Sequence, residues 1–449
     1  MDHGGSLGRA RALFPNALLP FVDLSTGINP HSYPLFDLPA TSLSRLPEAA
    51  RTRELTEIAA SAYGAPSPAN IVAAPGTQIL LPRVASLITP GRALVLGPTY
   101  AEHARAAVIA GHQVAEVGDF ADLADADLAI IVNPNNPDGR VIARDRLLAL
   151  AAGLRAKGGL LVVDEAFMDV GPREHSLCGD VGQGGVVVLR SFGKFFGLAG
   201  LRLGFALSDA VTVERLETQF GPWAVAGPAL EYGIRALADI GWQDAMRTAL
   251  ADESARLDAL FGRFGIPVMG GTTLFRFLRL PHAADLFATL GGRGILLRHF
   301  ADRPDVLRAG LPGSEEETMI HVCSLAKIEE TVARSGADRM LSLLAAGTAV
   351  VRPASISKEN HLHLVMHDIA AAQDGMTMPG EEHVRNLLDF ARRWDRARPM
   401  LVHCYAGISR STASAYIIAA ALAPKRDEAE LARTLRALSP SATPNPRLI

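Results

Sequence analysis

Short apolar runs alternate with amphipathic stretches over roughly the first 210 residues of the chain. The apolar runs lie at 71–74, 92–96, 113–117, 128–132, 160–163 and 186–189. Stretches with helical periodicity lie at 51–63, 78–88, 101–110 and 144–156. Strands that are apolar throughout and separated by helices predict a mainly parallel sheet with helices on both faces.

The pattern changes further along the chain. A polar, helical region covers about 209–263, and a smaller α+β portion follows at 266–311, with apolar runs at 274–280 and 294–298. The first 40 residues are rich in Pro and Gly, which predicts an extended arm. A proline-rich stretch at 439–446 is expected to be extended as well.

A new strand–helix–strand series begins at Met319, after the acidic turn at 312–318. Its predicted strands and helices are 320–325, 326–335, 339–344, 362–366, 380–397, 400–403 and a helix from about 409. About 130 residues are enough for an independent domain. The series therefore predicts a second, smaller α/β domain.

Two domains follow from these patterns, both of the α/β class. The first is 1–318, with a large part at about 45–210 and a small substrate part at about 211–315 that includes the N-terminal arm. The second is 319–449.

Composition excludes several classes of partner. The 449 residues carry a net charge of −3, which gives no electrostatic reason to expect nucleic acid or membrane partners. No apolar run approaches the roughly 20 residues needed to span a bilayer, and the N-terminus lacks the apolar core of a signal peptide. The three cysteines show neither a disulfide framework nor metal-ligand spacing. We expect a soluble cytoplasmic protein without a bound metal.

The stretch Ser191-Phe-Gly-Lys-Phe-Phe-Gly-Leu-Ala-Gly-Leu-Arg202 places Lys194 among apolar residues and glycines. Desolvation lowers the pKa of such an amine and makes it a nucleophile for a carbonyl. The Ser191 hydroxyl and the Arg202 guanidinium suit a phosphate. The stretch therefore indicates pyridoxal phosphate held on Lys194 as a Schiff base, the alternative being a surface lysine beside a buried hairpin.

Four further features support this interpretation. Asn136 lies in a turn after a strand and can donate to a ring oxygen, and Asp164 ends an apolar strand, where it can keep a pyridine nitrogen protonated. Gly76 and Thr77 stand between a strand and a helix, where backbone N–H groups cradle phosphate, and Tyr100 offers a ring for stacking. A plain turn at Asn136, and a helix cap or magnesium ligand at Asp164, remain alternatives.

This ordered set resembles the fold-type-I pyridoxal phosphate aminotransferase superfamily, and within it the branch that holds histidinol-phosphate aminotransferase and threonine-phosphate decarboxylase. The resemblance implies that Lys194 is the covalent anchor of the cofactor and that Asp164 pairs with the ring nitrogen. It implies that Asn136 bonds the ring oxygen and Tyr100 stacks on the ring. The resemblance further implies that the cofactor phosphate is held by Gly76, Thr77, Ser191 and Arg202. It also implies that Arg308 binds the substrate carboxylate and that Asn29 lies in an arm that closes over the substrate.

The chain departs from this family at three places. Phe167 replaces a tyrosine that bonds the cofactor oxygen in many aminotransferases, and Leu46 replaces a tyrosine that a partner subunit supplies. The final helix expected after Pro312 is interrupted by the second domain. The sequence DLSTGINP at 23–30 is similar to the decarboxylase branch, which favours decarboxylation of L-threonine O-3-phosphate over transamination. Residue types alone leave both reactions open.

A second centre is predicted at Val402-His-Cys-Tyr-Ala-Gly-Ile-Ser-Arg-Ser411. Five residues separate Cys404 from Arg410, so the loop can wrap a tetrahedral oxyanion. Loop N–H groups and the start of a helix lower the pKa of the thiol. Ser411 can donate to the leaving thiolate. The alternative is a buried structural cysteine.

This loop resembles that of the protein tyrosine and dual-specificity phosphatases, which implies a phosphate ester or phosphoprotein substrate and an upstream aspartate as general acid. We expect Asp374 to be that acid, with Asp368 as the alternative. Other hypotheses are that one half serves as a binding or regulatory module, or that two adjacent genes are read as one at Met319. The first resemblance also implies a homodimer.

Overall fold

The computed structural model describes residues 4–17, 21–313, 320–394, 398–422 and 428–449. The chain forms two compact units. The first unit comprises Met1–Ala10, Asp23–Gly291 and Ile295–Gly313, and the second unit comprises Arg11–Val22, Gly292–Gly294 and Ser314–Ile449. The predicted start of a strand at Met319 lies outside the described residues.

The helices and strands alternate along most of the chain. The α-helices are α1 (Leu7–Leu13), α2 (Thr41–Ser44), α3 (Ala49–Tyr63), α4 (Thr77–Ala85), α5 (Glu102–Ile109), α6 (Arg144–Ala156), α7 (Phe192–Phe195), α8 (Ala210–Phe220), α9 (Gly227–Ala238), α10 (Ile240–Arg263), α11 (Ala283–Gly292), α12 (Ile328–Ser335), α13 (Glu381–Arg392), α14 (Arg410–Leu422) and α15 (Glu428–Leu438). The strands are β1 (Val22–Leu24), β2 (Ile71–Ala74), β3 (Arg92–Leu96), β4 (Gln113–Val117), β5 (Leu128–Val132), β6 (Leu160–Asp164), β7 (Val186–Ser191), β8 (Gly204–Leu207), β9 (Val268–Thr272), β10 (Phe275–Arg279), β11 (Ile295–His299), β12 (Val306–Gly310), β13 (Ile320–Ser324), β14 (Arg339–Leu344), β15 (His361–Val365) and β16 (Met400–Cys404).

A seven-stranded sheet forms the centre of the first unit, in the order β2-β8-β7-β6-β5-β3-β4. Neighbouring strands from β7 to β4 pair in parallel, and β8 is antiparallel to β7 and to β2. Successive residues of β5 pack into hydrophobic cores on opposite faces of the sheet, Ile130 into one core and Ile131 into the other. The prediction of a mainly parallel sheet covered on both faces is confirmed.

The smaller sheet of the first unit has the order β1-β11-β12-β10-β9. The pairs β11–β12, β12–β10 and β10–β9 are antiparallel. Of its strands, the hydrophobic pattern predicts β10 and β11. It misses β9 (VMGGT) and β12 (VLRAG), which have the same length but contain glycines or a charged residue between their apolar positions. The arm predicted as extended also contains the helix α1, whose sequence LGRARAL consists mostly of good helix formers.

The second unit contains a four-stranded parallel sheet in the order β13-β16-β14-β15. Helix α12 covers one face through Ile328 and Val332, and α13 and α14 contribute Phe390 and Ile418 to the core on the other. The helix predicted at 380–397 is present as Glu381–Arg392, and 395–397 lie outside the described residues. Among the helices of the described residues, none is both long and apolar enough to cross a membrane.

Candidate active sites

The first candidate site lies at the carboxyl ends of β5, β6 and β7, beside the N-terminus of α4. A cavity of about 190 Å³ opens there. Its lining includes all eight residues predicted to hold a cofactor: Gly76, Thr77, Tyr100, Asn136, Asp164, Ser191, Lys194 and Arg202. The fold thus brings together residues that are up to 126 positions apart between Gly76 and Arg202.

Lys194 lies in the single-turn helix α7, directly after β7, and its amine points into the cavity. The Nζ atom is 5.8 Å from the centroid of the Phe167 ring. Burial lowers the pKa of Lys194 to about 8, and the positive charge of Arg308 adds to this effect, whereas Asp164 opposes it. The amine is therefore partly neutral near neutral pH, as a nucleophile for a carbonyl requires.

Asp164 is the last residue of β6 and is buried. Its Oδ2 lies 2.8 Å from Nε2 of His103, and its Oδ1 accepts a hydrogen bond of 3.0 Å from the Ala166 N–H. His103 was not among the predicted site residues. It is the second residue of α5, and no local sequence pattern identifies it, because its contact with Asp164 joins residues 61 positions apart. The pair keeps a carboxylate fixed at the end of the strand.

The phosphate-binding end of the cavity is formed by the turn into α4. Gly76 has a φ of +86°, and a Cβ at this position would lie 2.5 Å from Nη2 of Arg202. Only glycine therefore allows the guanidinium to lie against this backbone. The helix begins at Thr77, and its first N–H groups are suited to an anion. This cradle, with the lysine and the buried carboxylate, fits a phosphorylated pyridine aldehyde.

A larger cavity of about 640 Å³ shares Tyr100, Asn136 and Lys194 with the first. Arg308 of β12 lines it, and its role as the carboxylate site stays a prediction. Its Nη1 donates to Asn136 Oδ1 (2.5 Å) and its Nη2 donates to the Ser25 carbonyl (2.7 Å). Burial lowers the pKa of Arg308 to about 10, and Arg298 lowers it further. The other lining residues include Thr26, Gly27, Arg298, Phe300 and Arg303.

Asn29 lies in the N-terminal arm, where it is hydrogen-bonded to the Lys194 turn. Its Nδ2 donates to the Phe195 carbonyl (2.8 Å), its Oδ1 accepts from the His31 N–H, and its own N–H donates to the Lys194 carbonyl (2.9 Å). In the described part of the chain it does not line either cavity. Its amide therefore holds the arm against the lysine turn, and its role as a substrate contact stays a prediction.

The second candidate site is the loop between β16 and α14. Cys404 is buried, and its Sγ accepts from the Gly407 N–H (3.2 Å) and lies 3.2 Å from Ser411 Oγ. Burial by itself would raise the pKa of Cys404, but hydrogen bonds from Ser411 and from the loop N–H groups outweigh burial and lower it. The sulfur is thus prepared as a thiolate.

Arg410 and Asp368 face each other beside this loop. Arg410 donates through Nη1 to the Met366 carbonyl (2.7 Å), and its Nε lies 3.7 Å from Asp368 Oδ2. Asp368 Oδ1 accepts hydrogen bonds of 2.8 Å from Ser409 Oγ and from Asn445 Nδ2. Asp368, the alternative general acid, is therefore hydrogen-bonded directly to the Cys404 loop.

Asp374 lies at the exposed tip of the segment 368–377. The neck of this segment is closed by His367, whose N–H donates to the Thr377 carbonyl and whose Nδ1 accepts from the Thr377 N–H. Within the described residues, no hydrogen bond or ion pair joins Asp374 to Arg410 or Cys404. Its role as general acid stays a prediction.

Known proteins are similar to this chain in sequence and in fold. The family model described as aminotransferase class I and II matches residues 42–325. A threonine-phosphate decarboxylase from Pseudomonas aeruginosa is 42% identical over 318 residues, which cover 70% of this chain and 94% of that protein.

Two solved structures show the same fold at low identity. The histidinol-phosphate aminotransferase from Sinorhizobium meliloti, in complex with pyridoxal-5'-phosphate, has a TM-score of 0.59 at 20% identity, and the match covers 69% of this chain and 91% of that one. The L-threonine-O-3-phosphate decarboxylase from Porphyromonas gingivalis has a TM-score of 0.55 at 21% identity, with 65% and 94% covered.

Proposed function

We propose that this chain, which belongs to the aminotransferase class I and II family and binds pyridoxal 5'-phosphate, decarboxylates L-threonine O-3-phosphate to aminopropanol phosphate in cobalamin biosynthesis. The identity of 42% to a protein named threonine-phosphate decarboxylase supports this reaction over the alternative, transamination of a phosphorylated amino substrate such as histidinol phosphate. A group of arginines in the larger cavity is the structural observation that carries the proposal.

Arg298 and Arg308 stand directly opposite each other on the antiparallel strands β11 and β12. Side chains at such positions lie on the same face of a sheet, and like charges placed there destabilise it. Both line the larger cavity, and burial lowers the pKa of each. The charges of Asp302 and Asp23 partly offset this repulsion, since they raise the pKa of Arg298 and of Arg308, respectively. Two guanidinium groups on one face of the sheet, both in the cavity lining, supply donors suited to an anionic substrate.

Arg303 adds a third guanidinium to the same cavity. It and Arg298 both approach the Phe300 ring, at 4.9 Å and 5.1 Å from its centroid. A substrate with a carboxylate and a phosphate carries two anionic groups, and three arginines can hold both. An amino acid that bears a phosphate ester therefore fits this cavity better than an amino acid with a neutral side chain.

The first cavity supplies the contacts for the cofactor. Gly76, Thr77, Ser191 and Arg202 would hold its phosphate, Asn136 its ring oxygen and Asp164 its ring nitrogen, and Tyr100 would stack on its ring. When bound, pyridoxal phosphate supplies an electron sink for the bond that breaks. The contact with His103 holds the Asp164 carboxylate in position. Lys194 would anchor the group covalently and, once released from it, would hold a proton at Nζ for transfer to the substrate.

The reaction is tested with purified protein, pyridoxal phosphate and L-threonine O-3-phosphate. We expect release of carbon dioxide without consumption of a keto acid. Arg298→Gln should raise KM about tenfold or more, since a charged hydrogen bond is lost. Arg279→Gln, which removes an exposed ion pair with Asp305, is the matched control and should leave KM unchanged. Transfer of the amine to 2-oxoglutarate at a comparable rate would contradict decarboxylation.

We also propose that the second unit is a cysteine-dependent phosphatase, on the evidence of the hydrogen bonds around Cys404. Its thiolate attacks the phosphorus of a phosphate ester or phosphoprotein, an S–P bond forms and the P–O ester bond breaks. An aspartic acid gives its proton to the leaving oxygen. Water then hydrolyses the S–P bond, and Ser411 donates to the departing thiolate. Arg410 stabilises the charge on the phosphoryl oxygens.

Turnover of para-nitrophenyl phosphate tests this second proposal. We expect activity to be lost in Cys404→Ser and retained in Lys194→Ala. Turnover that survives in Cys404→Ser, or none in the unmodified protein, would instead favour a binding or regulatory module. Comparison of Asp374→Asn with Asp368→Asn identifies the general acid, because only the acid variant loses the basic limb of the pH profile of kcat.

A further inference from the structure

A single buried hydroxyl connects two histidines beneath the Cys404 strand. Ser342 lies in β14, opposite His403 of β16, and neither side chain is exposed (0% each). Its Oγ is 2.6 Å from Nε2 of His403 and 2.8 Å from Nε2 of His361. His403 directly precedes Cys404, so this chain of hydrogen bonds reaches the residue next to the proposed nucleophile.

Ser342 is the one side chain among the described residues that hydrogen-bonds the His403 ring. Burial lowers the pKa of His403 to about 4, so its imidazole is neutral near neutral pH. Its other ring nitrogen, Nδ1, is buried and makes no hydrogen bond of ordinary geometry among the described residues, although the adjacent Cys404 backbone raises the pKa of His403 against burial. A neutral imidazole carries its proton on one nitrogen, and the bonded partner decides which. Ser342 therefore sets the tautomer of His403.

His361 carries the chain of hydrogen bonds toward the surface, because its side chain is only partly buried. The titratable and charged groups around it are His363 on its own strand, Arg352 from the preceding loop and His403 across Ser342. The His361 and His363 rings are stacked at 6.3 Å. Burial, then the two neighbouring positive groups, lowers the pKa of His361.

The charge of His361 determines whether the Ser342 hydroxyl accepts a hydrogen bond from His361 or donates one to it. A protonated His361 can only donate, so Ser342 accepts from it and gives its own proton to Nε2 of His403. The proton of His403 must then lie on Nδ1. A neutral His361 can accept from Ser342, which leaves Ser342 Oγ free to accept from a proton on Nε2 of His403. The charge of one ring thus selects the tautomer of the other.

We propose that Ser342 is a positioning residue for the phosphatase centre, which relays the protonation of His361 to His403 and so adjusts the reactivity of Cys404. Only the expected effect of this relay on phosphate ester turnover rests on the proposed phosphatase function. The relay itself is a property of the hydrogen bonds, and it is measured without any substrate.

Nitrogen-15 chemical shifts of the His403 ring test the relay in the full-length protein from about pH 8 down to about pH 4, because the pKa of His361 is lowered from its ordinary value. We expect the His403 tautomer to change over the pH range in which His361 titrates. The change should persist in Ser342→Thr, which keeps the hydroxyl, and disappear in Ser342→Ala. A His403 tautomer that does not change with pH in the unmodified protein would overturn the proposal, whether or not the variants fold.

The alkylation rate of Cys404 by iodoacetamide, followed by mass spectrometry of its peptide, gives the second readout. We expect the alkylation rate to change by an additional factor of roughly three over the pH range in which His361 titrates. This step corresponds to a change of about half a unit in the pKa of Cys404. Ser342→Ala and His361→Gln should lose this step. Ser414→Ala should keep it, since the Ser414 hydroxyl is buried without a partner among the described residues. An unchanged profile in Ser342→Ala would overturn the relay, whereas absent turnover with an intact step would overturn only the phosphatase function.

Discussion

The chemistry of Lys194 comes from its surroundings rather than from its own structure. The amine lies 5.8 Å from the centroid of the Phe167 ring. Burial has the largest effect on its pKa, and the positive charge of Arg308 has the next largest. Both effects favour the neutral amine. The same residue on a solvated surface would be protonated at neutral pH and unreactive toward an aldehyde.

The pH dependence of cofactor binding follows from this shift. A lowered pKa means that the amine becomes neutral at lower pH than an ordinary lysine. We expect the rate at which cofactor-free protein takes up pyridoxal phosphate to rise with pH and to be half-maximal near pH 8, the pKa of Lys194. The absorbance of the bound cofactor measures this rate. Lys194→Ala should show no covalent uptake, and Lys157→Ala, at an exposed lysine, serves as control. A midpoint above about pH 10, the ordinary value for lysine, would contradict the assignment.

Gly76 is a second residue whose substitution has a definite consequence. Its φ of +86° is unfavourable for other residues, and a methyl group there would displace the Arg202 guanidinium. We expect Gly76→Ala to weaken pyridoxal phosphate binding by about tenfold or more, since the loss exceeds about 1.4 kcal/mol. Titration of the cofactor absorbance measures it. Gly262→Ala, where a Cβ meets no atom, should bind normally.

The buried charges behind the site form a network around Arg190. Its Nη1 donates to Glu165 Oε2 (3.1 Å) and its Nη2 to Asp169 Oδ1 (2.5 Å), and all three side chains are buried. We expect Arg190→Met to lower the free energy of unfolding by about 3–5 kcal/mol, because two carboxylates lose their shared partner. Denaturant unfolding measures this change. Arg92→Met, at an exposed ion pair, should cost less than about 1 kcal/mol.

At the scale of elements, the N-terminal arm is hydrogen-bonded along the lysine turn. The N–H groups of Asn29 and Tyr33 donate to the carbonyls of Lys194 and Phe196, and Ser32 Oγ donates to the Gly197 carbonyl. The arm therefore holds the backbone that carries the amine. Its conformation and the position of Lys194 are linked through these bonds.

Substitution of Asn29 tests this link. Asn29→Ala leaves the Phe195 carbonyl and the His31 N–H without their partner, and such a loss costs about 1–3 kcal/mol. We expect lower thermal stability and a lower kcat with little change in KM, since the residue does not line a cavity. Ser32→Ala, which removes an exposed hydrogen bond, should behave like the unmodified protein. A change confined to KM would instead support the predicted role of Asn29 as a substrate contact.

At the scale of the whole molecule, we propose that the chain forms a homodimer. Leu35, Leu43 and Leu46 are 78%, 76% and 64% exposed, although they lie close together in the chain. Exposed apolar residues of this kind mark contact surfaces. Light scattering should give a mass near twice the 47.6 kDa of one chain, and Leu43→Asp with Leu46→Asp should lower it. A mass of one chain for the unmodified protein would contradict the dimer.

Each unit contains one of the two proposed centres, and the cofactor residues and the cysteine loop come from different parts of the chain. This supports two activities that do not share residues. Loss of one centre by Lys194→Ala or Cys404→Ser should therefore leave the other activity in place.

The amino-acid sequence determines those features that depend on residues close in the chain. Apolar strands between amphipathic helices predict the central sheet because side-chain periodicity is a local property. Lys194 with Arg202, and Cys404 with Arg410, are recognisable because the short distance between their positions already limits where the side chains can lie. The cofactor followed from these local patterns and from the family to which they point.

Only the tertiary structure decided which distant segments meet. The opposition of Arg298 and Arg308 depends on the register of β11 and β12, and the contact of Ser342 with two histidines depends on the order of strands in a parallel sheet. Asp368 contacts the Cys404 loop, and the amide of Asn29 is taken up by the Lys194 turn, because of the paths that loops follow. Such contacts join residues far apart in sequence, and hydrophobic periodicity carries no information about register or loop path.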